Sequence, residues 1–274
     1  MTNPRAERVR QVAALAGRPA RERSGRFLVE GPQAVREAVR FAAASVRALY
    51  LSDEAALRHP EIAVAADDAG LLVRLGTPAV LDAMSADAQG IVAVVDRRAA
   101  ALPDVLAGAP RLVALLAHVR DPGNAGTVIR TADAVGAGAV MLSDGSVDLH
   151  NPKTVRSTAG SLFHLPVVTG VELPQAVDAL RGAGLAVLAA DGGGDLDLDD
   201  LLDAAGSATG GGSGVPDLAS PTAWLFGNEA WGLPADVLAL ADAAVRVPIR
   251  GAAESLNLAT AAGICLYASA RAQR

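Results

Sequence analysis

The sequence predicts an α/β protein with two domains. The chain has 274 residues, which is long enough for two domains that each bury a core. Short apolar runs typical of strands alternate with segments of helical spacing along the whole chain. In the second part the apolar runs are continuous, as in strands that are covered on both faces of a parallel sheet. The predicted architecture is therefore a small α/β sandwich followed by a mostly parallel sheet between helices.

The first domain is predicted at residues 1–100. The runs RFLVEG, VRALYL, LLVRL and IVAVV read as strands, and PQAVREAVRFAA has helical spacing with Pro32 in its first turn. The Ala-, Pro- and Gly-rich stretch that ends at Pro110 lacks periodicity, and we predict a linker at residues 101–110.

The second domain is predicted at residues 111–274. Its strands are RLVALLAHV, AVML, LPVV, LAVLAA, AWLF and VRVPI, with helical segments between or after them. Strands that alternate with helices indicate a parallel sheet. The Gly- and Ser-rich piece Gly206–Gly214 is predicted to be a flexible surface insertion.

The charge of the chain is unevenly distributed. The net charge is −6, but residues 1–50 hold ten arginines and four acidic residues. Seven aspartates and no basic residue lie in Asp191–Asp217. The arginines at the basic end match phosphate geometry but also suit a solvated arm, and composition favours neither interpretation. These candidate RNA contacts are Arg18, Arg21, Arg23 and Arg26.

Composition argues against a membrane protein and a metalloprotein. No apolar run reaches the ~18 residues of a membrane helix, and the arginine-bearing start does not resemble a signal peptide, so we expect a soluble, cytoplasmic protein. Cys265 is the only cysteine, which excludes a disulfide within the chain, and GICLYA reads as a buried setting. Because His118, His150 and His164 lack metal-ligand spacing, no metal is predicted.

The stretch DPGNAGTVIR follows an apolar run and forms the first candidate loop. It fails the test for a dinucleotide-binding turn, because the pair Gly136 and Gly138 follows the helix instead of preceding it. We expect a helix from about Thr127 that presents Arg130 toward a phosphate or ribose. The alternative is a surface ion pair between Arg130 and Asp133.

The stretches LFGNEAWGLP and VPIRGAAESLNLA form the second and third candidate loops. Gly227 follows a strand and lets a ligand approach the backbone, while Glu229 is either an anchor for the turn or a catalytic group. Taken alone, the anchor interpretation of Glu229 is favoured. In the third loop Ser255 is a good helix N-cap, and Asn257 is expected in the first turn, facing the same crevice.

Together the three stretches resemble the motifs of SpoU/TrmH-type RNA 2′-O-ribose methyltransferases of the SPOUT superfamily. The pattern is N-x-G-x-x-x-R, then G-N-E-x-x-G-L, then V-P-I-x-x-x-x-x-S-L-N-L. The resemblance covers Arg111 to the C-terminus, and residues 1–100 look like the substrate-binding domain of ribosomal-RNA members. It implies a parallel sheet with a deep trefoil knot, S-adenosylmethionine as cofactor and a homodimer.

The resemblance also assigns roles to individual residues. Cofactor contacts would come from Gly227, Val247, Ile249 and Leu256. The reaction centre would consist of Arg130, Asn124, Glu229, Ser255 and Asn257. A guanidinium has a pKa above ~12, so we expect Arg130 to stabilise an alkoxide or to clamp a phosphate, and not to act as the base.

The substrate implied by the resemblance is RNA. The segment Asn151–Val168 resembles the family's connection between its first two motifs, which favours RNA contacts for Lys153 and Arg156 over a solvated face. The expected activity is methylation of a ribose 2′-hydroxyl in ribosomal RNA. The alternatives are a transfer-RNA methyltransferase and a catalytically silent RNA-binding protein of the same fold, while a dehydrogenase lacks its glycine pattern.

Overall fold

The computed structural model describes residues 1–206, 215–228 and 230–274. Glu229 and most of the expected insertion, residues 207–214, lie outside the described residues.

The described residues contain eleven strands and thirteen α-helices. The strands are β1 (Arg26–Glu30), β2 (Val46–Leu51), β3 (Val73–Leu75), β4 (Ile91–Asp96), β5 (Leu112–Leu116), β6 (Ala139–Ser143), β7 (Val167–Val171), β8 (Ala186–Ala190), β9 (Leu196–Asp197), β10 (Thr222–Phe226) and β11 (Ala243–Arg246). The helices are α1 (Glu7–Ala14), α2 (Arg18–Ser24), α3 (Pro32–Ala42), α4 (Asp53–Arg58), α5 (Pro60–Asp68), α6 (Pro78–Met84), α7 (Leu102–Ala107), α8 (Pro122–Ala134), α9 (Pro152–Ser157), α10 (Leu173–Gly182), α11 (Leu198–Ala204), α12 (Ala235–Leu238) and α13 (Leu258–Ala272).

The chain folds into two compact units. The first comprises Met1–Arg98 together with Asp148–His164, and the second comprises Ala99–Val147 and Leu165–Arg274. The segment at 148–164 thus packs with the N-terminal residues, although it follows β6 of the second unit in sequence. The stretch expected to be a linker contains helix α7.

The first unit is built on a four-stranded mixed sheet in the order β1-β4-β2-β3. Strand β4 runs antiparallel to β1 and β2, and β3 is parallel to β2. Alternate residues of β1 face opposite sides, so Phe27 and Leu28 belong to different apolar clusters. Both faces of this sheet are therefore covered by helices.

A buried ion pair holds the segment 148–164 in the first unit. The Arg21 side chain is 2% exposed, and its Nη2 donates to the Asp148 carboxylate at 2.7 Å. Its Nη1 donates to the carbonyls of Leu15 and Ala16. The expectation of an RNA contact for Arg21 is wrong, because these acceptors occupy its guanidinium inside the unit.

A second ion pair fixes helix α9 to the first strand. Arg156 donates to the buried carboxylate of Glu30 and pairs with Asp87 at 2.7 Å. The Glu30 carboxylate also accepts from Ser85. Arg156 therefore stabilises the first unit. Its side chain is still partly exposed, so a further ligand can reach the guanidinium.

The second unit contains a seven-stranded sheet in the order β7-β6-β5-β10-β8-β11-β9, and each strand pair is parallel. The strands β5, β6 and β10 are buried along their whole length. The prediction of an α/β fold with a parallel sheet is confirmed. Since parallel strands end at one edge, the loops after β5, β10 and β11 share the carboxyl edge of the sheet.

Helix α13 buries the single cysteine. Cys265 is fully buried, and burial raises the pKa of its thiol to about 12.

None of the described helices is long and apolar enough to span a membrane.

His150 is a neutral core residue of the first unit. Its ring lies 4.6 Å from the Phe27 ring, and Arg97 Nε donates to its Nδ1 at 3.3 Å. Burial, together with the positive charge of Arg97, lowers the pKa of His150 to about 4. Protonation therefore costs the folded unit a buried charge and the hydrogen bond from Arg97.

We expect His150 to reduce the stability of the first unit as the pH falls. Its pKa in the unfolded chain is about 6.5, so the unfolded state binds more protons between pH 6.5 and 4, and about 3 kcal/mol is lost across that window. NMR titration, with His150→Gln to assign the signal, should give a midpoint near 4. A midpoint at 6 or above would contradict this placement.

Candidate functional site

The first candidate loop is the start of a helix. Helix α8 begins at Pro122, and the Asp121 carboxylate caps it by accepting from the backbone N–H of Asn124 at 2.7 Å. The expected start near Thr127 is wrong, because an aspartate N-cap followed by proline outweighs the low helix propensity of the two glycines. Asn124 therefore lies in the first turn.

The third candidate loop ends at Asn257. Helix α13 begins at Leu258, and Asn257 Oδ1 accepts from the backbone N–H groups of Ala259 and Thr260 at 2.9 and 3.3 Å. The expectation that Ser255 is the N-cap is wrong, and Ser255 lies exposed in the preceding loop. Serine and asparagine cap helices about equally well, so the sequence did not distinguish them.

The caps of the two helices are joined by a side-chain hydrogen bond. Asn257 Nδ2 donates to Asn124 Oδ1 at 3.1 Å, across 133 positions of sequence. The same Asn257 amide uses its oxygen as the cap of α13, which fixes its orientation. The structure thus brings together one residue of the first motif and one of the third.

Arg130 projects from the exposed side of α8. It lies six residues after Asn124, which is about 9 Å further along the helix axis. Its side chain is exposed and forms no hydrogen bond or ion pair with any residue of the described ranges. The alternative of a surface pair with Asp133 therefore does not apply, and Arg130 is free to meet a ligand.

Gly227 is required by the chain's own backbone. The peptide groups of Asn228 and Gly232 exchange two hydrogen bonds of 2.9 Å, which close the second loop tightly. A Cβ on Gly227 would lie 2.4 Å from the carbonyl carbon of Gly232. Closure of the loop is thus one reason for this glycine, and close approach of a ligand stays a prediction.

Asn228 is a positioning residue that the sequence analysis missed. Its buried side chain donates from Nδ2 to the His118 carbonyl at 2.7 Å and accepts from the Ala230 N–H at 2.8 Å. It therefore ties the loop after β10 to the loop after β5. Its position between Gly227 and Glu229 in the G-N-E motif was the available signal.

His118 extends this connection to the loop after β6. Its backbone N–H donates to Ser143 Oγ at 2.8 Å, and its ring Nδ1 lies 3.0 Å from the Asp144 carbonyl. The backbone of His118 has φ 53°, a left-handed conformation that a non-glycine residue adopts at a cost. Three loops of the carboxyl edge are thus held by hydrogen bonds.

The proposed cofactor residues offer apolar side chains and unused backbone groups. Val247 and Leu256 are half-buried, and Ile249 is 38% exposed. Within the described ranges, the backbone N–H and C=O groups of these three residues and of Gly227 take part in no hydrogen bond. Strands β10 and β11 flank β8, so their ends lie about 10 Å apart. Such surroundings fit a neutral purine.

The two tryptophans near the second motif differ. Trp224 is fully buried, and its Nε1 donates to Ser269 Oγ at 2.8 Å. Trp231 is 51% exposed, with the Arg120 guanidinium 5.1 Å from its ring centre. Trp224 thus belongs to the core, while Trp231 presents an aromatic face beside a cation at the carboxyl edge.

The remaining basic candidates are on the surface of the first unit. Arg18 pairs with Glu22 at 2.7 Å, and Arg26 lies 3.6 Å from Asp96. Arg23 and Lys153 are exposed.

Family models match both parts of the chain. Residues 111–267 match the SpoU rRNA methylase family, and residues 6–93 match the MRM3-like substrate-binding domain. The chain belongs to the SpoU rRNA methylase family. The predictions of the family and of an RNA 2′-O-ribose methyltransferase acting on ribosomal RNA are confirmed.

Two curated relatives cover almost the whole chain. The 23S rRNA (guanosine(2553)-2′-O)-methyltransferase RlmP of Bacillus subtilis is 34% identical over 95% of this chain and 95% of its own length. The 23S rRNA (uridine(2479)-2′-O)-methyltransferase of Streptomyces viridochromogenes is 35% identical over 94% and 87%.

Solved structures have the same fold. The rRNA methyltransferase from Sinorhizobium meliloti with bound AdoMet superposes with a TM-score of 0.81 at 29% identity, covering 99% of this chain and 97% of that one. The SpoU methyltransferase AviRb from Streptomyces viridochromogenes in complex with AdoMet gives 0.80 at 32% identity, covering 97% and 98%.

We expect Gly227→Ala to disrupt the second loop. The added methyl group meets backbone atoms that cannot move aside without breaking the paired hydrogen bonds, so unfolding should be easier by about 1–3 kcal/mol. Gly182→Ala is the matched control, because a Cβ there meets open space at the end of α10. Calorimetry should show a lower Tm for the first variant only. Equal Tm values would contradict the tight closure.

Proposed function

We propose that methyl transfer takes place beside the Asn124–Asn257 hydrogen bond, with S-adenosylmethionine as donor and a ribose of ribosomal RNA as acceptor. The single observation that supports this proposal is the Asn124–Asn257 hydrogen bond. It joins the first and third motifs at the carboxyl edge of the sheet, where the second motif follows β10. A parallel sheet binds ligands at this edge.

The cofactor is proposed to lie between the loops that follow β10 and β11. Gly227, Val247, Ile249 and Leu256 would hold it through backbone hydrogen bonds and apolar contacts, and their unused backbone groups support this assignment. Bound S-adenosylmethionine supplies a methyl group on a positively charged sulfonium. The AdoMet-bound relatives named above support the same cofactor here.

The reaction itself is a displacement at the methyl carbon. The ribose O2′ forms the new C–O bond, the C–S bond breaks, its electron pair returns to sulfur, and the hydroxyl proton passes to water or a phosphate oxygen. This chain must orient the hydroxyl and exclude water. The Asn124–Asn257 pair is proposed to orient the ribose, with the exposed Ser255 hydroxyl as a further contact.

Arg130 is proposed to stabilise the charge that develops on the ribose oxygen or the adjacent phosphate. Its guanidinium is permanently charged and has no partner among the described residues, so it is available for this task. Glu229 lies outside the described residues, and its role as anchor or catalytic group stays a prediction.

The protein is proposed to act as a homodimer through the outer face of α13. This face borders a groove formed with α8 and α11, where Ile264 and Tyr267 are 40% and 56% exposed. Thr131 lines the groove and follows Arg130 directly. A second copy that covers the groove would therefore approach Arg130 and complete the reaction centre.

The deep trefoil knot expected from the resemblance is retained as a proposal. Its support is the path of the chain, which leaves β11 beyond β8 and returns to pack α13 against α8, β5 and β10. The names of the curated relatives support ribosomal over transfer RNA. A silent binder is disfavoured because the proposed reaction-centre residues are present. The cytoplasmic location stays a prediction.

We expect Arg130→Ala to reduce methyl transfer at least a hundredfold, because a transition-state charge loses its preorganised partner. The dissociation constant for S-adenosylmethionine, measured by calorimetry, should change less than twofold. Arg111→Ala is the control, since Arg111 precedes β5 at the opposite edge of the sheet. Retained turnover with weakened cofactor binding would refute the role of Arg130.

We expect Tyr267→Glu to convert a dimer into a monomer, since a carboxylate would be buried at the interface. Leu57→Glu is the control, because Leu57 is 83% exposed in the first unit. Light scattering should show half the mass for the first variant only. A wild-type protein that is monomeric, or a Tyr267→Glu dimer, would overturn the proposed interface.

A further inference from the structure

A groove in the first unit has a rim of arginines. It has a volume of about 570 Å³ and opens between helices α1 and α2 and one face of the sheet. The arginines come from five different places in this unit: Arg8, Arg23, Arg26, Arg47 and Arg74. No acidic residue is among its lining residues. In a chain of net charge −6, this concentration of one sign favours an anionic ligand.

Most of this positive charge is not neutralised within the unit. Arg47 Nε donates to Asp96 at 2.6 Å, and Arg26 shares the same carboxylate at 3.6 Å. One carboxylate thus serves two guanidinium groups. The other three form no ion pair with any of the described residues: Arg8, Arg23 and Arg74.

The acidic residues of α1 and α2 are paired with other arginines. Glu7 accepts from Arg10 at 2.5 Å, and Glu22 accepts from Arg18 at 2.7 Å. Neither Arg10 nor Arg18 lines the groove. The carboxylates of these two helices are therefore engaged outside the groove and form no ion pair with its arginines.

Among the buried residues that line the groove, only Tyr50 carries a hydroxyl, and the others are apolar: Val12, Leu15 and Val94. Tyr50 is 3% exposed and packs among Leu15 and Val94. Its hydroxyl makes no hydrogen bond with a described residue, yet no buried side-chain oxygen or nitrogen in these ranges lacks a partner. The hydroxyl must therefore reach the groove surface. A buried tyrosine normally offers this group to a partner.

We propose that this groove binds the ribose–phosphate backbone of the RNA substrate. Guanidinium forks match phosphate oxygens, and the Tyr50 hydroxyl is placed to donate to a phosphate or ribose oxygen. Since no exposed aromatic residue lines the groove, it offers no stacking platform for bases, and binding there is independent of sequence. The inference rests on the proposed function, because it takes RNA as the substrate.

The direct test compares two double variants that each lose two arginines of the first unit. Arg8→Ala/Arg74→Ala removes charge from the groove, whereas Arg10→Ala/Arg58→Ala removes arginines outside it that pair with glutamates. Binding to a protein-free 23S rRNA transcript is measured between 0.05 and 0.3 M KCl. The groove variant should bind about tenfold more weakly, with a salt slope lower by about 1.5, and the control within twofold of wild type. Equal losses in the two variants, or no loss in the groove variant, would overturn the proposal.

Tyr50→Phe provides a second readout. It should weaken RNA binding about threefold without lowering the Tm, whereas unchanged binding would overturn the role of the hydroxyl. Methyl transfer and S-adenosylmethionine binding are measured in parallel. If the wild-type protein methylates the transcript and the groove variant binds and methylates it equally well, the proposed role of the groove is wrong and the proposed function stands. If wild type binds RNA through the groove but transfers no methyl group, the proposed function fails and the groove stands.

Discussion

The Asn228 side chain holds the loops of the candidate site together at the carboxyl edge of the parallel sheet. It donates to the loop after β5 and accepts from its own loop after β10, and His118 passes the connection to the loop after β6. The buried amide has both its donor and its acceptor engaged, and its loss would leave these groups unsatisfied. The position of Asn124, and through it that of Asn257, depends on this arrangement because α8 starts from the tied loop.

The site therefore separates rigid from adaptable parts. The Asn124–Asn257 hydrogen bond and the helix caps fix the side of the site that is proposed to bind the ribose, because both amides are already engaged in the protein. Arg130 is exposed and forms no hydrogen bond or ion pair with a described residue, so no such contact within the chain fixes its side chain. The loop after β11 presents backbone groups that form no hydrogen bond with the part of the chain that the structure describes. A ligand that supplies those partners completes the hydrogen bonding that this chain alone leaves open.

Sequence patterns predicted the parallel sheet because strands such as β5 and β10 are continuous apolar runs. Such runs are typical of strands that are covered on both faces of a parallel sheet. The motifs placed Asn124 and Asn257 in one site, but they did not reveal the Asn228 contacts, which depend on long-range geometry. Helix starts were mistaken where two caps compete, as at Ser255 and Asn257. Arg21 was mistaken because its partner Asp148 lies 127 positions away, in a segment that no local pattern assigns to the first unit.

Identification of the methylated atom tests the proposed reaction most directly. The purified protein is incubated with a 23S rRNA transcript and S-adenosylmethionine that carries a deuterated methyl group, and the RNA is digested to nucleosides for mass spectrometry. We expect a single labelled 2′-O-methylnucleoside. A label on a base, or an unlabelled transcript although the protein binds both the cofactor and the RNA, would contradict it.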